Sequence, residues 1–212
     1  YKNDRFSKER RGRKLRKKSH ILLGRYLADQ MSEVYSLQQH RKAFCLGNIM
    51  PDLRPSFLTT RHEFFGTFSQ LQEKMRELIE RNPEEDNARV YWRRFGEVMH
   101  YMADYFTFPH NRTYKGSLAE HNSYEAELKN CLKECILSGN ADSQLEEAKH
   151  FDSFEELVGY IRERHACYLE SPRCIADDIR FILRVCYQVI QGIFQLCLRR
   201  QFHMEGRPVT AI

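Results

Sequence analysis

The chain has 212 residues, enough for one domain that buries a core and a site within it. Its net charge of +5 is a local excess: ten Lys or Arg against two acids fall in residues 1–18, leaving 24 cations against 27 acids beyond them. No run of 18 apolar residues occurs, so no transmembrane segment is expected.

Residues 1–18 read as a basic arm, of the kind that makes peripheral contact with an anionic membrane or nucleic acid, or simply stays solvated. Ser19 can cap a helix that starts at His20 and carries Leu23, Tyr26, Leu27, Met31 and Val34 at helical spacing. A second short helix is expected over 38–45. The stretch 47–55, with Gly47, Pro51 and Pro55, reads as a loop or turn that carries Asp52. A helix over about 60–81 follows, with Phe64, Phe65, Phe68, Leu71, Met75, Leu78 and Ile79 on its apolar face and His62 in its first turn. Asn82 and Pro83, then Glu84, Glu85 and Asp86, make the start of the next helix, with acids where the dipole favours them. It runs to about Tyr105 and bears His100 and Asp104 near its C-terminal end. Pro109 breaks it and delivers His110 from a loop. Ser117 opens a helix that carries His121 and Glu125 and stops at Gly139. Asp152 or Ser153 caps a further helix through Tyr168, and a central, heavily apolar helix runs from Ile175 to about Phe202.

No stretch alternates with period two, so the expected fold is all-α: one multi-helix domain over 19–212 behind the arm. Seven cysteines, an odd number without a Cys-x-x-Cys pair, do not form a disulfide framework and point to a reducing, cytoplasmic compartment. A chain that begins at Tyr1 rather than Met is processed or truncated, and secretion follows if a signal peptide preceded it.

The chemistry concentrates between His100 and Glu125. His100 and Asp104 are four apart, as are His121 and Glu125, so each pair projects from one helix face on successive turns. Imidazole with carboxylate is the ligand set of zinc and similar divalent ions, which makes a metallohydrolase the leading hypothesis. Singly, each candidate has an ordinary reading: His20 as a surface residue, Asp52 as a helix cap or Asx turn. Together, His20, Asp52, His62, His100, Asp104, His110, His121 and Glu125 are enough to serve two or three metals, whereas a structural zinc needs four ligands.

The order His20, Pro51-Asp52, His62, then His100-x3-Asp104-x5-His110, then His121-x3-Glu125 resembles the zinc-dependent phospholipase C family, related to the P1-type nucleases. The resemblance implies an all-helical catalytic domain with two or three Zn2+ ions. It assigns Asp52, His62, His100 and Asp104 to one zinc, with Asp104 bridging to another. It assigns His110, His121 and Glu125 to a second, and His20 with Asp104 to a third. In the family an N-terminal Trp completes the third site, whereas the only Trp here is Trp92. The implied reaction is in-line attack of water on a phospholipid or other phosphodiester, with metal charge lowering the water's pKa and Asp52 as a candidate general base. Arg54, Arg61 and Arg112 neighbour these ligands and are candidates for binding phosphate oxygens. The choline-selective members place aromatic residues where this chain has Leu53 and Thr59, so a phosphatidylcholine preference does not carry over.

Three rivals remain open on sequence. Glu97-x-x-His100 and Glu147-x-x-His150 match the pattern of di-iron carboxylate bundles. A P1-type nuclease shares the metals and gains from the basic arm. The third is a non-catalytic helical module in which metal is only structural.

Overall fold

The computed structural model describes residues 18–53, 63–81, 87–172 and 174–204, and every regular element among them is helical. Helix α1 (18–30) buries Leu23, Tyr26 and Leu27 and turns His20 inward from its first turn. The helix expected over 38–45 is two short ones, α2 (Tyr35–Gln39) and α3 (Arg41–Gly47), divided at His40. The stretch expected to be a loop or turn contains one helical turn, α4 (Met50–Leu53). Pro51 fits there because a first turn needs no N–H at that position and favours the fixed φ of proline. Arg54, Thr59, Arg61 and His62 lie outside the described residues.

Helix α5 (Phe64–Glu80) buries Phe64, Phe68, Leu71, Met75 and Leu78, while Phe65 stays 63% exposed. Helix α6 (Ala88–Tyr105) is capped by the Asn87 side chain, which accepts from the Val90 amide at 3.2 Å, while Asn82, Pro83 and the acids up to Asp86, where the sequence predicts a helix start, lie outside the described residues. It ends before a 3-10 turn (Phe108–His110) with Pro109 near its start. Helix α7 (Leu118–Leu137) begins at a capping box in which Ser117 Oγ accepts from Glu120 N at 3.3 Å and Glu120 Oε2 from Ser117 N at 2.6 Å. Gly139, with φ of +78°, ends that run and leads into the short helix α8 (Asn140–Gln144). Ser153 caps α9 (Phe154–Glu170).

The last helix, α10 (Ile175–Met204), packs against α5, α6, α7, α8 and α9 and buries Ile182, Leu183, Val185, Val189, Ile190 and Ile193 at its centre. Its segment Ile175–Phe202 is, by length and composition, apolar enough to cross a membrane, although it contains no unbroken run of 18 apolar residues. In its most apolar 18 residues 61% is buried against the rest of the protein, as suits a core helix.

Two glycines bring α3 and α6 together. A Cβ on Gly47 would stand 1.9 Å from the Arg93 carbonyl oxygen, and one on Gly96 would stand 2.1 Å from that of Phe44. Backbone therefore meets backbone. The crossing holds Asn48, just past α3, against the C-terminal half of α6, where His100 and Asp104 lie.

Candidate metal centre

Helix α6 presents His100 and Asp104 on one face, and both are essentially buried. The His100 Nδ1–H donates to the Asn48 carbonyl oxygen at 2.9 Å, since a carbonyl only accepts. This fixes the ring's orientation and points Nε2 into the cluster, the outer-shell arrangement typical of a metal-ligating histidine. Nε2 lies 3.2 Å from Asp104 Oδ2 and 3.8 Å from Asp52 Oδ1. Helix α1 adds His20, whose Nε2 is 3.3 Å from Asp104 Oδ1 and whose ring lies 4.1 Å from that of His100.

The second half is built by the 3-10 turn and α7. His121 and Glu125, one turn apart, meet at 2.8 Å through Nε2 and Oε1, and His110 Nε2 reaches the same oxygen at 3.2 Å. The other nitrogen of His110, Nδ1, lies 3.6 Å from Asp104 Oδ2. Two sets of ligand-type atoms, each within 4.8 Å of one another, thus stand side by side: His20, Asp52 and His100, and His110, His121 and Glu125. Asp104 touches both. A cavity of about 30 Å³ bordered by His20, Asp104, His110 and Glu125 opens beside them, and Leu23, Leu128, Leu132 and Ile182 wall it.

The electrostatics call for a cation. Asp52, Asp104 and Glu125 are each no more than 5% exposed, and three carboxylates gathered out of water are costly without positive charge. Burial opposes ionisation of Asp104, yet His110 and His100 outweigh it and hold its carboxyl well below the usual range. Burial likewise opposes the charge on His100, but Asp104 and Asp52 raise its pKa to about 9. Two further buried atoms, His20 Nδ1 and Asp52 Oδ2, have no hydrogen-bond partner among the described residues. A cation bound here would replace the proton that the carboxylates favour on His100, and imidazole with carboxylate is the donor set that zinc takes.

The other sequence candidates lie elsewhere. Arg112 is 60% exposed, donates to Glu63 Oε1 through Nε and Nη2 at 3.2 and 3.1 Å, and covers the Phe65 ring. Trp92 is fully buried, its Nε1–H donating to Ser36 Oγ at 3.0 Å, and serves the core. The di-iron pattern does not assemble: Glu97 faces Lys74 at 3.3 Å, while Glu147 and His150 are exposed and His150 pairs with Asp152.

One supporting carboxylate escaped the sequence reading. Asp178, fully buried in the first turn of α10, accepts from the Phe108 amide at 2.9 Å and from the hydroxyls of Tyr124 and Tyr168 at 2.8 and 2.7 Å. Burial pushes its carboxyl up to about 6 against the pull of these bonds. It braces the 3-10 turn that carries His110 and, through Tyr124, the helix that carries Glu125. An acid in a first helical turn reads as a dipole partner, so only the tertiary contacts reveal this role.

A comparison with curated proteins and one with solved structures each find no match. A family model does match: residues 19–175 fit that of the zinc dependent phospholipase C. The fit begins at the residue before His20, runs past Glu125 through α9, and takes in most of the chain, so the chain belongs to the zinc-dependent phospholipase C family, for which zinc is the implied metal.

Proposed function

We propose that this chain is a zinc-dependent phosphodiester hydrolase that cleaves a phospholipid head group in the manner of a phospholipase C. The observation that carries this reading is the shared carboxylate of Asp104, which lies within 3.6 Å of His20, His100 and His110 and so joins two adjacent ligand sets. Asp52, His100 and Asp104 would hold one ion, and His110, His121 and Glu125 a second. His20 and Asp104 offer part of a third site. When bound, zinc supplies Lewis-acid stabilisation of phosphoryl charge and makes water acidic enough to attack near neutral pH.

The chain's own groups orient that chemistry. The Asn48 carbonyl holds the His100 ring in one orientation, and Asp178 holds the turn beneath His110. Asp52, on the single turn of α4, places a buried carboxylate beside His100, where it can accept a proton from an attacking water. The apolar walls contributed by Leu23, Leu128 and Ile182 limit bulk water on the other side.

Elemental analysis of the purified protein tests the reading together with hydrolysis of a chromogenic phosphodiester, phospholipid vesicles and an oligonucleotide. Two or three zincs per chain, fewer in His121→Ala, with vesicle lipid cleaved and turnover lost on chelation, is the expected result. Preferential cleavage of the oligonucleotide would move the assignment to a P1-type nuclease. Protein that takes up zinc and gains stability but hydrolyses none of the three would leave a structural metal module.

A further inference from the structure

Away from the metal cluster, α1 and α3 border an open groove of about 590 Å³ on the protein surface. Three cations line it: Arg25 and Lys42, both exposed, and Arg41. Arg41 is committed to the scaffold. Its guanidinium lies 2.6 Å from Asp29 and donates to the Arg25 carbonyl oxygen at 3.1 Å, which neutralises that acid and ties α3 to α1. Arg25 and Lys42 have no ion-pair partner among the described residues and face the groove with their charge unspent. Between the cations the walls are aliphatic, made by Ile21, Leu46 and Ile49, with Leu46 39% exposed.

These features select an occupant. The unspent charge calls for an anion. No aromatic ring lines the groove among the described residues, so it offers no platform on which nucleic-acid bases would stack. Aliphatic side chains beside Lys and Arg instead match the boundary between head groups and acyl chains. The volume falls in the range of small-molecule sites and admits a phosphate head group with its glycerol. Nine of the ten cations of residues 1–18 precede α1, the helix that supplies Ile21 and Arg25, and the tenth, Lys18, opens it, so further positive charge adjoins this element in the chain.

We propose that the groove between α1 and α3 is a docking site for the phosphate head group of an anionic phospholipid in a bilayer. This goes beyond the catalytic reading and does not depend on it, because none of the groove's residues belongs to the metal cluster.

The test is binding of the full chain to vesicles of phosphatidylcholine, with and without phosphatidylglycerol, followed by co-sedimentation. Arg25→Gln combined with Lys42→Gln should lower affinity for the mixed vesicles about thirty-fold, from roughly a five-fold loss per membrane-facing cation. Arg89→Gln combined with Lys133→Gln removes the same charge outside the groove and should cost less than about three-fold. Leu46→Ser, unchanged in charge, should cost about five-fold through lost apolar contact. Equal losses in the two charge pairs, or no loss in the groove pair, would overturn the proposal. So would an oligonucleotide that binds with the same dependence on Arg25 and Lys42. Turnover of the soluble chromogenic phosphodiester is read in parallel and should be unchanged in the groove variants. A chain without any turnover that still docks through Arg25 and Lys42 would retain the docking site and refute the hydrolase.

Discussion

Asp104 faces His20, His100 and His110 at once, so its charge cannot be removed from one ligand set alone. Asp104→Asn should therefore deplete zinc from both sets and reduce phosphodiester turnover by about 100-fold or more, whereas His121→Ala should spare the set around His100. Zinc counted per chain in the two variants separates these outcomes. Asp178→Asn is subtler. The amide keeps the shape but replaces one acceptor oxygen with a donor where three donors converge, so the turn under His110 loses part of its support. Zinc affinity should fall about 10- to 100-fold, read by chelator competition, with a lower thermal midpoint. The pairing of His100 with Asp104 and of His121 with Glu125 was legible because i, i+4 spacing states a shared helix face, while the order of the motifs carried the family and brought in His20, Asp52 and His110, which no local spacing links. Asp178 was not, because its partners lie 70, 54 and 10 residues away and no local pattern links them.

At the scale of elements, the centre depends on how closely α3 approaches α6. Helix propensity alone would favour alanine over glycine by about 1 kcal/mol at Gly47. A Cβ there would meet backbone rather than a yielding side chain, and overpacking of that kind costs about 3 kcal/mol. Gly47→Ala should thus destabilise the protein by about 2 kcal/mol in chemical denaturation. It should also weaken zinc binding, because Asn48 would move off His100. Removing the capping box by Ser117→Ala should cost about 1 kcal/mol without comparable damage to the cluster, since the cap sits a full turn before His121. The long helices were readable from apolar periodicity, the Ser117 and Ser153 boundaries from their capping hydroxyls, and the Gly139 boundary from its lack of a Cβ, which admits a positive φ. A glycine inside a helical pattern reads only as a weak point, so the α3–α6 crossing was hidden. The turn at Met50–Leu53 was hidden by its proline, and α8 by its five residues and polar composition.

For the whole molecule, one contribution to stability against acid comes from a buried histidine that belongs to neither ligand set. His165 is 2% exposed on α9, stacked on Phe64 with ring centroids 3.9 Å apart, and its Nε2–H donates to Asn111 Oδ1 at 3.3 Å. Asn111 in turn donates to the Thr107 carbonyl at 2.9 Å, so His165 links α9 to the segment that carries His110. Burial lowers its pKa from 6.5 to about 4, outweighing the support of the Tyr105 backbone. The folded state therefore resists a proton that the unfolded chain accepts. Its contribution is complete above pH 6.5, diminishes as pH falls, and is gone by about pH 4, a swing on the order of 3 kcal/mol. Denaturation curves of the zinc-free protein from pH 7 to 4.5 should show this acid limb. His165→Phe keeps the stacking, loses the bond to Asn111 for about 1 kcal/mol at neutral pH, and should flatten the limb because nothing is left there to titrate. Parallel decline of the two proteins would assign the acid sensitivity to the carboxylates instead. If the limb does flatten, zinc retention at pH 5 should improve in the same variant, because the anchor of the His110 segment no longer takes up a proton.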